Sequence, residues 1–181
     1  LEKGSLGSDI DLGYFSELGH VTFYEVTKPE QVPERIKDAD VIIVNKLPMD
    51  ETTLSGASHL KLVALTATGM NNIDFAYTGS RGILVKNVAG YSTSAVAQHT
   101  FALLFYVLHR LAYYDHYVKS GAYCENPGFS HFDEKFSELD GKTWGIVGLG
   151  AIGRRVAAIA EAFGDMFDAI AHNQAGDQHN R

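Results

Sequence analysis

Thr143-Trp144-Gly145-Ile146-Val147-Gly148-Leu149-Gly150-Ala151-Ile152-Gly153 decides how this chain is read. An apolar run enters a glycine-rich turn. The residues that follow repeat apolar side chains at helical spacing, at Ile152, Val156, Ile159, Ala160 and Phe163. G-x-G-x-x-G alone recurs by chance; between such a strand and such a helix it marks a dinucleotide site. Gly148 permits the tight turn, Gly150 leaves no Cβ between backbone and pyrophosphate, and Gly153 lets the helix close on the sheet. The free N–H groups and dipole of the helix start favour the phosphates. An ordinary glycine-rich βα turn accounts for the glycines but not for their context.

One part of that fingerprint fails. An acid is expected on the adenine ribose about 20 residues on, at the end of the second strand. Residues 166–171 read as that strand, and its end presents Ala171, His172 and Asn173. Asp168 has the spacing but falls mid-strand, aimed at a helix layer or the opposite face. The choice between NAD and NADP stays open. The chain runs on only to Arg181, whereas a complete unit needs several further strands, so a partial cofactor domain is expected.

Composition bounds the rest. Hydrophobic residues make up 45% of the 181 and aromatics 11%, enough for a packed core in one large domain or two smaller ones. A net charge of −7 argues against nucleic acid or an anionic membrane as partner. Cys124, the single cysteine, forms no internal disulfide, which suits a reducing, cytoplasmic setting. The longest apolar stretch, residues 95–108, is interrupted by Gln98, His99 and Thr100, so no membrane span is expected. Residues 173–181 alone look like a disordered tail.

Upstream of the fingerprint, short apolar runs alternate with helical patterns, the mark of a parallel α/β sheet. Residues 21–24, 41–44, 62–65 and 83–86 read as strands. Residues 11–18, 29–37 and 51–55 read as helices, the first capped by Asp9 or Asp11 and the second opening on Pro29. From residue 92 to 110 the pattern becomes one long helix, capped by Ser92 or Thr93. It is apolar on nearly every face, which predicts burial on both sides. Residues 113–121 read as a further helix and 122–138 as an irregular, aromatic-rich stretch.

Four co-linear passages resemble the D-isomer-specific 2-hydroxyacid dehydrogenases, in particular the glycerate dehydrogenase (hydroxypyruvate reductase) branch. They are ALTATGMNNID from Ala64, KNVAGYSTSAVAQHT from Lys86, ELDGKT from Glu138, and the fingerprint itself. VNKLP from Val44 is similar to that branch as well. The resemblance covers the chain up to about Gly164 and implies a flavodoxin-like, doubly wound parallel substrate domain. A truncated Rossmann-type NAD(P)-binding domain would follow. Residues 1–91 would form the former, lacking its first strand; residues 92–181 would form the latter, with a linking helix and a dimerisation arm.

What the family implies about activity is hydride transfer between NAD or NADP and a small 2-hydroxy or 2-oxo acid such as glycerate or hydroxypyruvate. Its arginine, its Glu or Asp, and its proton-transferring histidine follow the second strand of the coenzyme domain. All three are expected beyond Arg181, so the resemblance places no catalytic residue in this chain. The turn Ala67, Thr68, Gly69 matches the loop whose amides receive the substrate carboxylate, with Gly69 supplying a positive φ. Lys46 is a candidate attractor for the anionic acid, against the reading of a solvated surface lysine. Thr68 and Thr100 match cofactor-contact positions; the plain alternatives are a hydroxyl closing its own turn and a helix hydroxyl bonded to its own backbone. Gly148, Gly150, Ala151, Ile152 and Gly153 match the phosphate loop.

His99, His109, His116 and His131 have neither metal-pair spacing nor a completing carboxylate or cysteine pattern, so they read as core, interface or surface residues and no metal is expected. Two readings from different classes remain. The chain is the front part of a homodimeric dehydrogenase, or it is a noncatalytic paralogue serving as a dimerisation or nucleotide-binding module. A receiver-like signalling domain is disfavoured, because no acidic cluster marks a phosphorylation pocket at the strand ends.

Overall fold

VIIV and LVAL are apolar at every position, yet only alternate side chains are fully buried: Ile42 and Val44 in one segment, Val63 and Leu65 in the other. That is the period-two geometry of a strand. In the computed structural model Val41–Val44 (β1), Leu62–Leu65 (β2) and Leu84–Lys86 (β3) form a parallel sheet in the order β1-β2-β3. Val44 stands opposite Leu65, and Leu62 opposite Leu84. Thr143–Val147 (β4) and Met166–Ile170 (β5) pair in parallel as a second sheet. The structure describes residues 1–164 and the backbone of residues 166–170. The chain is an α/β protein of two units, Leu1–Tyr91 and Ser92–Arg181, with one sheet in each.

In the first unit, Val32–Ile36 (α1) follows a 3₁₀ turn at Pro29–Gln31, whose proline fixes the entry conformation. Glu51–Leu54 (α2) and Phe75–Ser80 (α3) are the crossovers between strands. Each is started by an acid: Asp50 accepts from Thr53 N at 3.1 Å, and Asp74 from Tyr77 N at 2.9 Å. Val32, Ile36, Met49, Leu54 and Ile83 close over the buried strand residues to make one core.

Two expected elements take other forms. Residues 21–24 are not a strand. A strand needs a ladder, and this stretch lacks one: its main-chain contacts are confined to its last residue, where Lys3 N donates to Tyr24 O, and to the residue just beyond, where Gly4 N donates to Glu25 O, both at 2.9 Å. Residues 11–18 give a 3₁₀ helix, Gly13–Glu17, rather than an α-helix. The Asp11 carboxylate does accept from Gly13 N at 2.8 Å. Tyr14 and Leu18 stay exposed, so no tertiary packing sustains α-helical turns there.

The second unit is built on Thr93–Leu108 (α4), Leu111–Lys119 (α5), Ala122–Glu125 (α6) and Ala151–Ala162 (α7). Arg110 adopts a left-handed conformation, φ 52°, and breaks α4 from α5. Helix α6 falls within the stretch expected to be irregular. Ser92 stands at the N-cap of α4 without a side-chain capping bond. Phe101 of α4 packs on Trp144 at 4.9 Å and on Phe163 at 5.7 Å, over a core of Ala97, Ile146, Val156, Ala157 and Ala160. Helix α4 is therefore buried on one face within this unit, not all round: Leu103, Tyr106 and Val107 are exposed. No helix among the described residues is long and apolar enough to cross a membrane.

Candidate functional site

A parallel sheet aligns the carboxyl ends of its strands along one edge, and the loops that leave those ends are where such folds bind ligands. In the first unit this edge carries Lys46 after β1, the turn Ala67, Thr68, Gly69 after β2, and Asn87 after β3. The last two loops are stapled together. Val88 N donates to Ala67 O at 3.1 Å, Thr68 Oγ1 donates to Val88 O at 2.9 Å, and Asn87 Nδ2 donates to Thr68 O at 2.7 Å. The Thr68 hydroxyl thus ties two loops and does not close its own turn.

That staple leaves the other side of the turn free. The main-chain amides of Thr68, Gly69 and Met70 have no acceptor among the described residues. Thr68 and Gly69 are exposed. Consecutive uncommitted amides suit an anion. One expectation about the turn is corrected: Gly69 does not adopt a positive φ. What glycine provides here is space, since a Cβ built on it meets nothing within 4 Å.

Lys46 is exposed, and no carboxylate lies within ion-pairing distance of its ammonium among the described residues. The loop that carries it is held in two places. Glu2 Oε2 accepts from Asn45 N at 2.7 Å, Lys46 N at 2.9 Å and Leu47 N at 3.3 Å. Asn72 Nδ2 donates to Leu47 O at 2.7 Å, and Met49 N donates to Asn72 O at 2.8 Å. Neither Glu2 nor Asn87 stands out in the sequence as a site residue. Asn87 had one usable signal, a short amide side chain directly after a strand.

In the second unit the fingerprint adopts the geometry its glycines suggest. Gly148 leaves β4 with φ 93°, a conformation that favours glycine. Gly150 is the N-cap of α7, and a Cβ on it would meet nothing within 4 Å. Gly153 is different: a Cβ there would lie 2.2 Å from Gly148 O and 3.3 Å from Ile146 Cγ2. Ala151 and Ile152 are exposed, and their amides have no acceptor among the described residues. Arg154 N makes the first helical bond, to Gly150 O at 2.9 Å. An open backbone, free amides and a helix N-terminus fit a pyrophosphate.

The remaining candidates divide. Thr100 Oγ1 donates to Val96 O at 2.8 Å, so its proton is spent within α4. Asp168 stands opposite Gly145 in the middle of β5. Ala171, His172 and Asn173, together with the tail from residue 173, lie outside the described residues. His131 is a packing residue: its ring stacks on Tyr117 at 3.9 Å, and its Nε2 pairs with Tyr113 Oη at 2.6 Å. His109 stacks on Phe136 at 5.4 Å, while His99 and His116 are exposed. Among the described residues no three His, Cys, Asp or Glu side chains are grouped to hold a metal ion.

Known proteins share this fold. The family model for D-isomer specific 2-hydroxyacid dehydrogenase, catalytic domain, matches residues 5–176. A hydroxypyruvate reductase of Blautia hydrogenotrophica is 35% identical over 86% of this chain and 49% of its own length. Among solved structures, an acyclic imino acid reductase in complex with NADPH and D-Arg superposes with a TM-score of 0.76 and 29% identity, over 92% of this chain and 53% of that one. A D-lactate dehydrogenase of Aquifex aeolicus, complexed with NAD and lactic acid, gives a TM-score of 0.66 and 31% identity, over 78% of this chain and 42% of that one. The chain spans about half the length of the curated relatives it matches.

Proposed function

The chain belongs to the D-isomer-specific 2-hydroxyacid dehydrogenase family, and from that premise we propose that it supplies the substrate-carboxylate edge and the phosphate loop of an oxidoreductase. That enzyme interconverts a small 2-oxo acid, such as hydroxypyruvate, and its 2-hydroxy acid, with NAD or NADP as partner. Residues 1–91 act as the substrate domain and residues 92–181 carry the nucleotide-binding elements. The observation that carries this reading is the glycine loop, with its left-handed turn at Gly148, open backbone at Gly150 and close approach at Gly153.

Each named residue has a physical task. The amides of Ala151 and Ile152 and the start of α7 hold the cofactor phosphates, for which the macrodipole is favourable. The nicotinamide, when bound, supplies or accepts the hydride. The amides of Thr68 and Gly69 hold the substrate carboxylate, while Lys46 raises the local concentration of anionic acids. Thr68 and Thr100 touch the cofactor through their uncommitted lone pairs. Ala67, buried beneath the turn, fixes where the amides point. The resemblance assigns proton transfer to none of the residues named here, so in this reading they bind ligands and leave turnover to other groups. The functional enzyme is a cytoplasmic homodimer in this reading.

Calorimetric titration with NADH and with NADPH tests the loop, and hydroxypyruvate reduction tests the chemistry. Saturable cofactor binding without turnover is the expected pair of results. Turnover by these 181 residues would overturn the reading that they bind ligands without transferring the proton. Absence of binding to either cofactor would overturn the phosphate-loop role.

A further inference from the structure

The carboxylate of Glu2 lies where three successive main-chain amides converge, those of Asn45, Lys46 and Leu47, at 2.7, 2.9 and 3.3 Å from Oε2. Consecutive amides aimed at one point form an anion cradle. Here the anion is the protein's own. Hydrogen bonds to an ionised acceptor are roughly twice as strong as neutral ones, and these three cross more than forty positions of sequence. The backbone around Lys46 is therefore set by a long-range contact and not by its own turn. On the far side, the pairing of Asn72 with Leu47 O and Met49 N anchors the same loop to the connection after β2.

From this geometry we propose that Glu2 is the positioning residue of the carboxylate-binding edge: it fixes the loop that presents Lys46 to an incoming 2-oxo acid. The inference rests on the reading of that edge given under Proposed function. The arrangement solves an electrostatic problem. An acid near Lys46 would ordinarily pair with it and cancel the charge that attracts substrate. Three amides instead satisfy the Glu2 oxygen, and Lys46 has no carboxylate partner among the described residues. The neighbouring cation, Lys3, is taken by Glu25. Lys46 is left without a carboxylate partner among the described residues, on a loop held at both Glu2 and Asn72.

A contrary role for Glu2 predicts the opposite sign. If its negative charge merely repelled anions, or if it kept the cradle closed to them, removing it would tighten anion binding. Positioning predicts weaker binding, rescued by an isostere that still accepts from the amides. The two roles separate in a titration of the full chain with oxalate, a compact carboxylate probe, across wild type, Glu2→Ala, Glu2→Gln, Lys46→Gln and the double variant Glu2→Ala/Lys46→Gln. Amide proton–nitrogen correlation spectra of the same samples follow Asn45, Lys46 and Leu47.

The expected results are a loss of oxalate affinity of roughly tenfold for Glu2→Ala, the scale of coupling within one hydrogen-bonded loop, and near-wild-type affinity for Glu2→Gln. Adding Glu2→Ala to Lys46→Gln should cost nothing further. The three amide resonances should move in Glu2→Ala and stay near their wild-type positions in Glu2→Gln. Unchanged or tighter binding by Glu2→Ala, or an undiminished effect in the Lys46→Gln background, overturns the positioning role while leaving the edge itself intact. If the amides respond to Glu2→Ala as expected but the wild-type chain binds no oxalate, the reading of the edge has failed and the proposal falls with it.

Discussion

Gly153 sits so close beneath Gly148 that a Cβ built on it would lie 2.2 Å from the Gly148 carbonyl oxygen. Gly150, between them, has nothing within 4 Å of the same added atom. The two glycines therefore serve different ends. Gly153→Ala forces α7 away from β4 and should cost about 1–3 kcal/mol, the usual scale of overpacking, read as a lower urea midpoint. Gly150→Ala should leave that midpoint near wild type and reduce cofactor affinity in calorimetry. Equal destabilisation by both substitutions would contradict the division of roles.

The contrast shows what is legible in a sequence of this kind. Residues 41–44 and 62–65 read as strands because contiguous apolar runs bounded by polar loops leave few alternatives, and β1 and β2 have those limits. Residues 21–24 look equally suitable, but a strand depends on a partner, and pattern alone does not show whether one is present. The positive φ of Gly148 follows from local turn chemistry. Gly69, in a loop of similar appearance, does not share it, and that turn is tied to Asn87 and Val88 by tertiary bonds that no local pattern shows. Glu2 is illegible for the same reason: its partners lie beyond residue 44, and nothing local marks an acid that will be capped by amides.

Leu54, fully buried at the end of α2, is a clean probe of the first unit's core. Leu54→Ala removes its contacts with the surrounding side chains and should destabilise by about 2–5 kcal/mol. Because the phosphate loop lies in the other unit, cofactor affinity measured well below the melting temperature should be unchanged. A fall in affinity parallel to the fall in stability would show the two units to be energetically inseparable.

Asp40 and Lys61 join the entrances of β1 and β2 through a bond of 2.8 Å, and this bond, then the lysine charge, holds the Asp40 carboxyl below its ordinary range. A depressed folded-state value gives a defined sign. The pair contributes stability above the ordinary carboxylate range, and that contribution is lost as pH falls through the depressed value. Both side chains are largely exposed, so the effect is small and salt-sensitive. Asp40→Asn should lower the urea midpoint slightly at neutral pH in low salt. At acid pH, or in high salt, the two proteins should converge. A difference that grows on acidification would have the wrong sign for this account.

Helix α4 presents two apolar faces, and only the one centred on Ala97 and Phe101 is covered within its unit. Leu103 is 56% exposed and Val107 65%, one turn apart on the other face. Apolar side chains grouped in this way, with Tyr106 beside them, mark an interaction surface more often than a solvated one. In the proposed homodimer this face meets a second copy. Sedimentation of the wild-type chain at micromolar concentration should then give a dimer, and Leu103→Glu, which would desolvate a charge against an apolar partner, should give a folded monomer. A monomeric wild type would remove the homodimer. A dimeric Leu103→Glu would keep it but move the interface off α4.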